Sequence, residues 1–351
     1  KARARGNILR PRRTRYPISE AIYRAQEFNN ARYSLVRNEC SAALGRLLLT
    51  STMYLADTSA MDSSLSPKLR EIAEAELGET DERRQQALRE LVKLLNDEPG
   101  LFWHNKPDVA LRFLRVRKYN VEAALKSITK YYRIRSSWGP IFDNYTPSSI
   151  VPECRSIVAV LPHRDVHGRQ ILFVRSGMWN PTVVPQIEVH RAFMLCLGLL
   201  ERNPSGQTAG IVIIIDYDGF GIEQAIYCKL GLMKDMLDHV QESLPLRLRA
   251  VHVVRESRGF DFCFVLVRPF LKSKIIQRIH FHGHNLEGLY EHVPASILPE
   301  AYGGLVSDTV FDKFWSQMDA LEDFFVEDSR YGYKNSDSYK TPELEETITH
   351  L

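Results

Sequence analysis

Apolar residues recur along this chain with two different spacings, and the change from one to the other falls near Pro147. Before it the spacing is helical. Leu69, Ile72, Ala73 and Leu77 follow a Ser66-Pro67 pair, which supplies an N-cap and a proline at the first helical position. Thr80-Asp81-Glu82-Arg83 opens a second stripe through Ala87, Leu88, Leu91, Leu94 and Leu95, and Asn96-Asp97-Glu98-Pro99-Gly100 stops it. A third helix carries Ala110, Leu111, Phe113 and Leu114. Tyr119-Asn120 breaks it, and a fourth carries Ala123, Ala124, Ile128, Tyr131 and Tyr132, ending near Arg135.

Beyond Pro147, short β-branched runs alternate with apolar helices. Residues 157–161 and 170–174 read as strands joined by a hairpin turn over 163–169. Residues 210–217 form a continuous apolar strand of the kind found in a parallel sheet covered on both faces, and 249–254 form another. Helical spacing holds over 189–200, 227–242 and 260–270. The alternation predicts a crossover α/β sheet. Four regions are expected: a basic arm over 1–60, a helical domain over 61–140, an α/β domain over 141–306, and a C-terminal helix with a flexible acidic tail over 307–351.

Composition narrows the class. With 44% hydrophobic and 25% charged residues, the chain has the make-up of a soluble globular protein. A net charge of +3 is too small to argue for a nucleic-acid partner. Residues 1–46 hold 11 Lys and Arg against 3 Asp and Glu, so the basic excess belongs to the arm. That arm reads as a solvated tail or upstream translated sequence in preference to an Arg-rich mitochondrial presequence, and Met61 is a candidate natural start. Cys40, Cys154, Cys196, Cys228 and Cys263 are odd in number and lack a CxxC pair, which fits free thiols in a reducing cytosol. No apolar run approaches the length of a membrane span, so any membrane contact is expected to be peripheral.

The marks of bond chemistry are few. Nucleotide-binding glycine motifs and the GxSxG nucleophile motif are missing. His280 and His282, followed by His284, share one strand face, yet no Cys or carboxylate stands at ligand spacing, so these histidines read as structural and no metal or cofactor is expected. Asp216 and Asp218 stand at a strand's C-terminal end, where α/β enzymes place catalytic groups, but Asp216-Tyr217-Asp218-Gly219 is equally an ordinary turn exit. An enzyme using these residues is the weaker reading. Arg112, Arg115, Arg117 and Lys118 crowd the end of the third helix, where cations suit the helix dipole.

A second basic series is Arg247, Arg249, Arg268, Lys272, Lys274 and Arg278. Arg247 and Arg249 flank Leu248 at the start of a strand and share a face; Lys274 and Arg278 are four apart, as on one helix face. If the two pairs meet, they make a multi-cation pocket suited to phosphates. Phe270, Leu271, Ile275, Ile276 and Ile279 would give that helix a face able to press into a membrane. The segments 189–200 and 260–270 hold more apolar surface than one contact stripe needs, which fits either a large core or the wall of a cavity.

Several stretches carry a resemblance. They are residues 110–119 with Tyr131-Tyr132, 215–219 (Ile-Asp-Tyr-Asp-Gly), 244–252 (Leu-Pro-Leu-Arg-Leu-Arg-Ala-Val-His), 268–274 (Arg-Pro-Phe-Leu-Lys-Ser-Lys), 278–283 and 298–304. In that order and spacing the chain from about Leu65 to Met318 resembles the CRAL-TRIO family, especially its metazoan branch of alpha-tocopherol transfer, retinaldehyde-binding and clavesin-like proteins. The resemblance implies a small all-helical domain followed by an α/β lipid-binding domain, with a mostly parallel sheet, a hydrophobic cavity and a mobile helical gate at or beside 227–242. It implies a cavity lined by Phe173, Phe193, Met194, Leu197, Ile211, Ile213, Ile215, Met236, Val240, Leu244, Leu246 and Val251. It places phosphoinositide contacts on Arg117, Arg247, Arg249, Lys274 and Arg278.

The implied function is lipid carriage without catalysis. A soluble cytoplasmic protein would enclose a tocopherol-, retinoid- or phospholipid-like molecule and exchange it at endosomal or other phosphoinositide membranes. The alternative is a clavesin-like trafficking adaptor that reads phosphoinositides. Departures from the family pattern are Phe193, Cys196 and Leu197 in place of small hydroxyl residues, Ile215 in place of a Phe, and His239 in place of an aliphatic lining residue. Arg255 and Arg258 stand in a loop that is usually less basic.

Overall fold

The computed structural model describes residues 65–333. The basic arm, Met61 and the tail beyond 333 lie outside these residues.

Local capping sets the first helices. The hydroxyls of Ser66 and Thr80 accept from the backbone N–H of Leu69 and Arg83 at 3.4 and 3.2 Å, opening α1 (Pro67–Ile72) and α2 (Asp81–Asn96). Between them Ala73–Leu77 widens into a π-helical turn, closed by Gly78 at φ +66°. α3 (Pro107–Val116) follows, then α4 (Val121–Ser137), capped by Asn120 on the N–H of Ala123 at 2.8 Å. Arg112 and Arg115 do more than complement the helix dipole. Helix α3 is buried from Val109 to Arg115, so its arginines are paired internally. Arg115 is 1% exposed and grips Glu79 with two bonds of 3.0 Å, and Arg112 meets Asp108 at 3.1 Å.

Five strands form the main sheet in the order β2-β3-β4-β5-β6: β2 (Val158–Val160), β3 (Gln170–Arg175), β4 (Ile211–Asp216), β5 (Leu248–Val254) and β6 (Ile279–Phe281). β2 and β3 make the expected antiparallel hairpin; the other neighbours are parallel. Each crossover steps to the next strand in one direction, so right-handed connections put the intervening helices on one face. These helices are α5 (Gln186–Leu200), α6 (Ile222–Ile226), α7 (Leu230–Glu242) and α8 (Arg258–Val267). Ring contacts agree. Phe264 of α8 meets Phe281 at 5.4 Å between centroids, whereas Phe311 of α9 (Val310–Asp319) meets Phe173 on the opposite face at 6.2 Å.

Two expected helices differ. The helix expected over 227–242 begins only at Leu230, as α7, where the N–H of Lys229 just before it donates to Oε1 of Gln186 at 2.5 Å, and a separate short α6 precedes it. Lys274 and Arg278 do not share a helix face: Ser273–Ile276 is a single turn, and Arg278 stands immediately before β6. The described chain closes with β7 (Gly332–Tyr333) antiparallel to β1 (Leu101–Phe102).

Candidate functional site

Strand register decides which side chains face the helical layer. Val160, Leu172, Ile213, Val251 and Ile279 form one row; Val158, Val174, Ile215, Val253 and Phe281 form the next. Both rows point toward the face that α8 covers. Ala159, Phe173, Ile214, His252 and His280 point the other way.

The two faces are filled unequally. Phe173 and Ile214 are completely buried. On the helical side Val251 keeps 9% of its exposure, and Ile215, Leu248 and Ile279 are only partly buried, although β4 and β5 lie inside the sheet. A central-strand residue keeps accessible surface only where the layer above it leaves room, since a packed interior has few gaps. Helix α7 supplies that looseness. Among its 13 residues only His239 is buried, while Met236 and Val240 are half-covered.

The predicted lining residues distribute accordingly. Met194 and Leu197 on α5 are buried, with Phe193 partly so. Ile211, Ile213 and Ile215 share the helical face of β4 with Val251 of β5. Leu244 is buried and Leu246 half-buried on the approach to β5. Phe173 departs from the set: it is on the opposite face, edge-on to Tyr302 at 4.6 Å. Alternation within a strand is readable from sequence, but its phase relative to the next strand depends on register.

His239, expected to line the cavity, anchors the end of α7 instead. Its ring stands 6.0, 6.5 and 5.7 Å from those of Tyr131, Trp138 and Phe142, and Nδ1 meets the Ser243 hydroxyl at 2.5 Å. Burial, then Arg135 and Lys130, push its pKa down to about 3, so it is neutral at physiological pH.

At the amino-terminal edge of the parallel strands, the five predicted cations come together. Arg247 and Arg249 both reach Oε2 of Glu76, at 2.6 and 2.5 Å. A register shift between Ile211 and Val212 skips Arg249 in the β4–β5 ladder, and such a bulge re-aims the skipped side chain. Gly210, at φ +100°, makes the room: a Cβ there would lie 2.4 Å from the Arg247 carbonyl and 2.7 Å from Cγ of Arg249. Arg117 donates to Oγ of Ser127 at 2.8 Å and to the Glu242 carbonyl; Arg278 donates to the Leu248 carbonyl.

Mutual repulsion ties the group together. The Lys274 ammonium is held below its ordinary pKa by Arg278 first, then by burial, and then by Lys118, Arg247 and Arg117. Arg278 is lowered by burial and by Arg249 and Arg169. Lys118 and Arg169 are therefore members that sequence reading missed. So is Glu76, the only carboxylate among the described residues that is ion-paired with any of the five.

The rival sites take on structural roles. Asp216 accepts from Nε and Nη2 of Arg255 at 2.9 and 2.6 Å and from the Tyr302 hydroxyl at 2.6 Å, and Asp218 pairs with the same arginine at 3.2 Å. Carboxylate oxygens so occupied are committed to holding the strand exit. His280 and His282 join His252 and His292, which the sequence did not group with them, at centroid separations of 5.1 to 6.1 Å. Among the described residues no set of His, Cys, Asp and Glu is arranged to hold a metal ion.

The sheet is parallel apart from the β2–β3 hairpin, with helices packed on its faces. Residues 155–304 match the CRAL/TRIO domain, and the chain belongs to that family. It is 36% identical over 269 residues to the alpha-tocopherol transfer protein-like protein of Homo sapiens, covering 76% of this chain and 78% of that one. Clavesin-2 of Homo sapiens is 28% identical over 286 residues, covering 80% and 86%. Clavesin-1 of Pongo abelii is 29% identical over 254 residues, covering 71% and 72%. No helix among the described residues is long and apolar enough to cross a membrane.

Proposed function

We propose that this protein encloses one small hydrophobic molecule between the sheet and the helices α5, α7 and α8, and exchanges it at membranes bearing phosphoinositides. The observation that carries this reading is the cation cleft beside an incompletely filled apolar face. Arg117 at the end of α3, Arg247 and Arg249 at the start of β5, Lys274, and Arg278 before β6 lie near one another, and Glu76 is the one carboxylate among the described residues ion-paired with any of them. Likeness to a protein named for tocopherol transfer favours a tocopherol-, retinoid- or phospholipid-like ligand.

The mechanism makes and breaks no covalent bond and uses no cofactor. Burying hydrocarbon contributes about 0.8 kcal/mol per CH₂, so a closed cavity holds its ligand and release needs a competing interaction. Phosphates that bind the open form better than the closed one shift the population toward release. Helix α7 is the gate, pinned at one end by His239. Exposed Ile222, Ile226 and Tyr227 precede it, Leu230 opens it, and Phe262, Val265 and Leu266 project from α8, giving apolar surface for peripheral contact. The setting is the cytoplasm, with transient residence on endosomal or other phosphoinositide membranes.

The test is the paired charge reversal Lys274→Glu and Arg278→Glu. Transfer of a bound fluorescent lipid to vesicles containing phosphatidylinositol bisphosphate should slow about tenfold, while equilibrium affinity for that lipid stays within about twofold. Equal losses of both would refute the division of labour. Vesicle binding that persists when the cavity is blocked would favour an adaptor.

A further inference from the structure

We infer that Arg247 and Arg249 form a phosphate subsite that the protein keeps occupied with its own Glu76, so that a headgroup must displace this carboxylate to bind. The inference rests on the proposed reading of the cleft as a headgroup site and adds its regulation.

A single oxygen, Oε2 of Glu76, lies 2.6 Å from Nη2 of Arg247 and 2.5 Å from Nη2 of Arg249. A phosphate oxygen between two guanidiniums takes the same place. The Glu76 side chain is 41% exposed and those of the arginines 12% and 19%, so the carboxylate covers the cations from the solvent side. Burial opposes its ionisation, but the two guanidiniums outweigh that and hold its carboxyl below the usual range.

The cations do not depend on Glu76 for their positions. Arg247 also donates to the Thr208 carbonyl, and Nε of Arg249 donates to the Ala209 carbonyl at 2.7 Å. The Glu76 side chain makes no other hydrogen bond or ion pair among the described residues. Its departure therefore leaves a preformed pair of donors and a carboxylate that returns to water. The π-helical turn that carries it, Ala73–Leu77, is an irregularity of the kind found where a helix serves a site.

Exchange favours a ligand with more charge than the carboxylate. A phosphomonoester carries about −1.5 to −2 at pH 7 and three acceptor oxygens. A headgroup with a second phosphate also engages Lys274 and Arg278, which Glu76 does not reach.

The experiment measures binding of the full chain to phosphatidylcholine vesicles with and without phosphatidylinositol bisphosphate, and to soluble inositol trisphosphate. Glu76→Gln should tighten phosphoinositide binding about fivefold. Glu74→Gln, the same charge change on the same turn at an exposed residue without these partners, should change it less than twofold. The Glu76→Gln gain should vanish in an Arg249→Gln background. Equal gains from both glutamates, or none from Glu76→Gln in a protein of unchanged melting temperature, would overturn the inference. Gains for soluble inositol trisphosphate as large as for vesicles would assign the subsite to the phosphates alone, and gains confined to vesicles would assign it to the lipid; either supports the displacement. If wild type and variants all ignore phosphoinositide, the headgroup reading itself fails.

Discussion

Charge gathers at both ends of the parallel strands, and the two ends dispose of it differently. At the carboxyl end Arg255 spans Asp216 and Asp218 while Tyr302 closes on Asp216. At the amino end Arg247, Arg249, Lys274 and Arg278 face one another with Glu76 alone among them. The same strand serves both, since β5 begins beside Arg247 and ends beside Arg255. Compensated charge fastens the sheet to its C-terminal cover. Uncompensated charge costs stability, and on the proposed function it is kept for an incoming phosphate. Many open α/β sheets bind ligands at the carboxyl ends of their strands; here that end is filled by its own ion pairs.

Acid should produce the largest effect and separate stability from binding. Burial lowers His190 to about 4, and burial with neighbouring cations or imidazoles lowers His239 and His252 to about 3, from an ordinary value of 6.5. The unfolded chain takes up these protons first. The contribution is therefore present above about 6.5 and is lost as pH falls toward the folded values, at roughly 2 kcal/mol per histidine by pH 5. Urea unfolding at pH 7.5 and 5.0 should show the loss, while the arginines of the cleft stay charged. A pH-independent midpoint would contradict the buried, neutral assignment.

Next in size is Arg255→Met, which leaves Asp216 buried without its cation. It should cost about 3 kcal/mol in urea unfolding, with vesicle affinity of the folded protein unchanged. Lys274→Ala should do the reverse: affinity for phosphoinositide vesicles falls about fivefold, and the melting temperature holds or rises, because its charged neighbours repel it. A melting temperature lowered by several degrees would make Lys274 a structural residue. Smallest is Lys118→Ala, exposed at the rim, with an expected loss of about twofold in the same vesicle assay.

Much of this was legible from residues alone. Ser66 and Thr80 announced their helices because caps act within four residues, whereas Asn120, read as a break, also caps α4. The alternation of strands and helices gave the crossover sheet, and the family pattern marked all five cations. What escaped depends on contacts far apart in sequence. Nothing around Glu76, one acid in an acid-rich segment, links it to Arg249, 173 positions away. His252 and His292 join His280 and His282 only through strand pairing and the chain's return. Phe173, listed among the lining residues, turns to the face away from α8 because strand register is a tertiary fact, and the break before α7 coincides with Gln186 reaching Lys229.

Lipid carriage requires an interior that holds a lipid. Native mass spectrometry of the purified protein, with organic extraction of the same sample, tests this most directly. It should find one non-covalent small hydrophobic molecule per chain, released on mixing with phosphoinositide vesicles. A chain that carries nothing, and that takes up neither tocopherol, retinoid nor phospholipid when these are supplied, would contradict it.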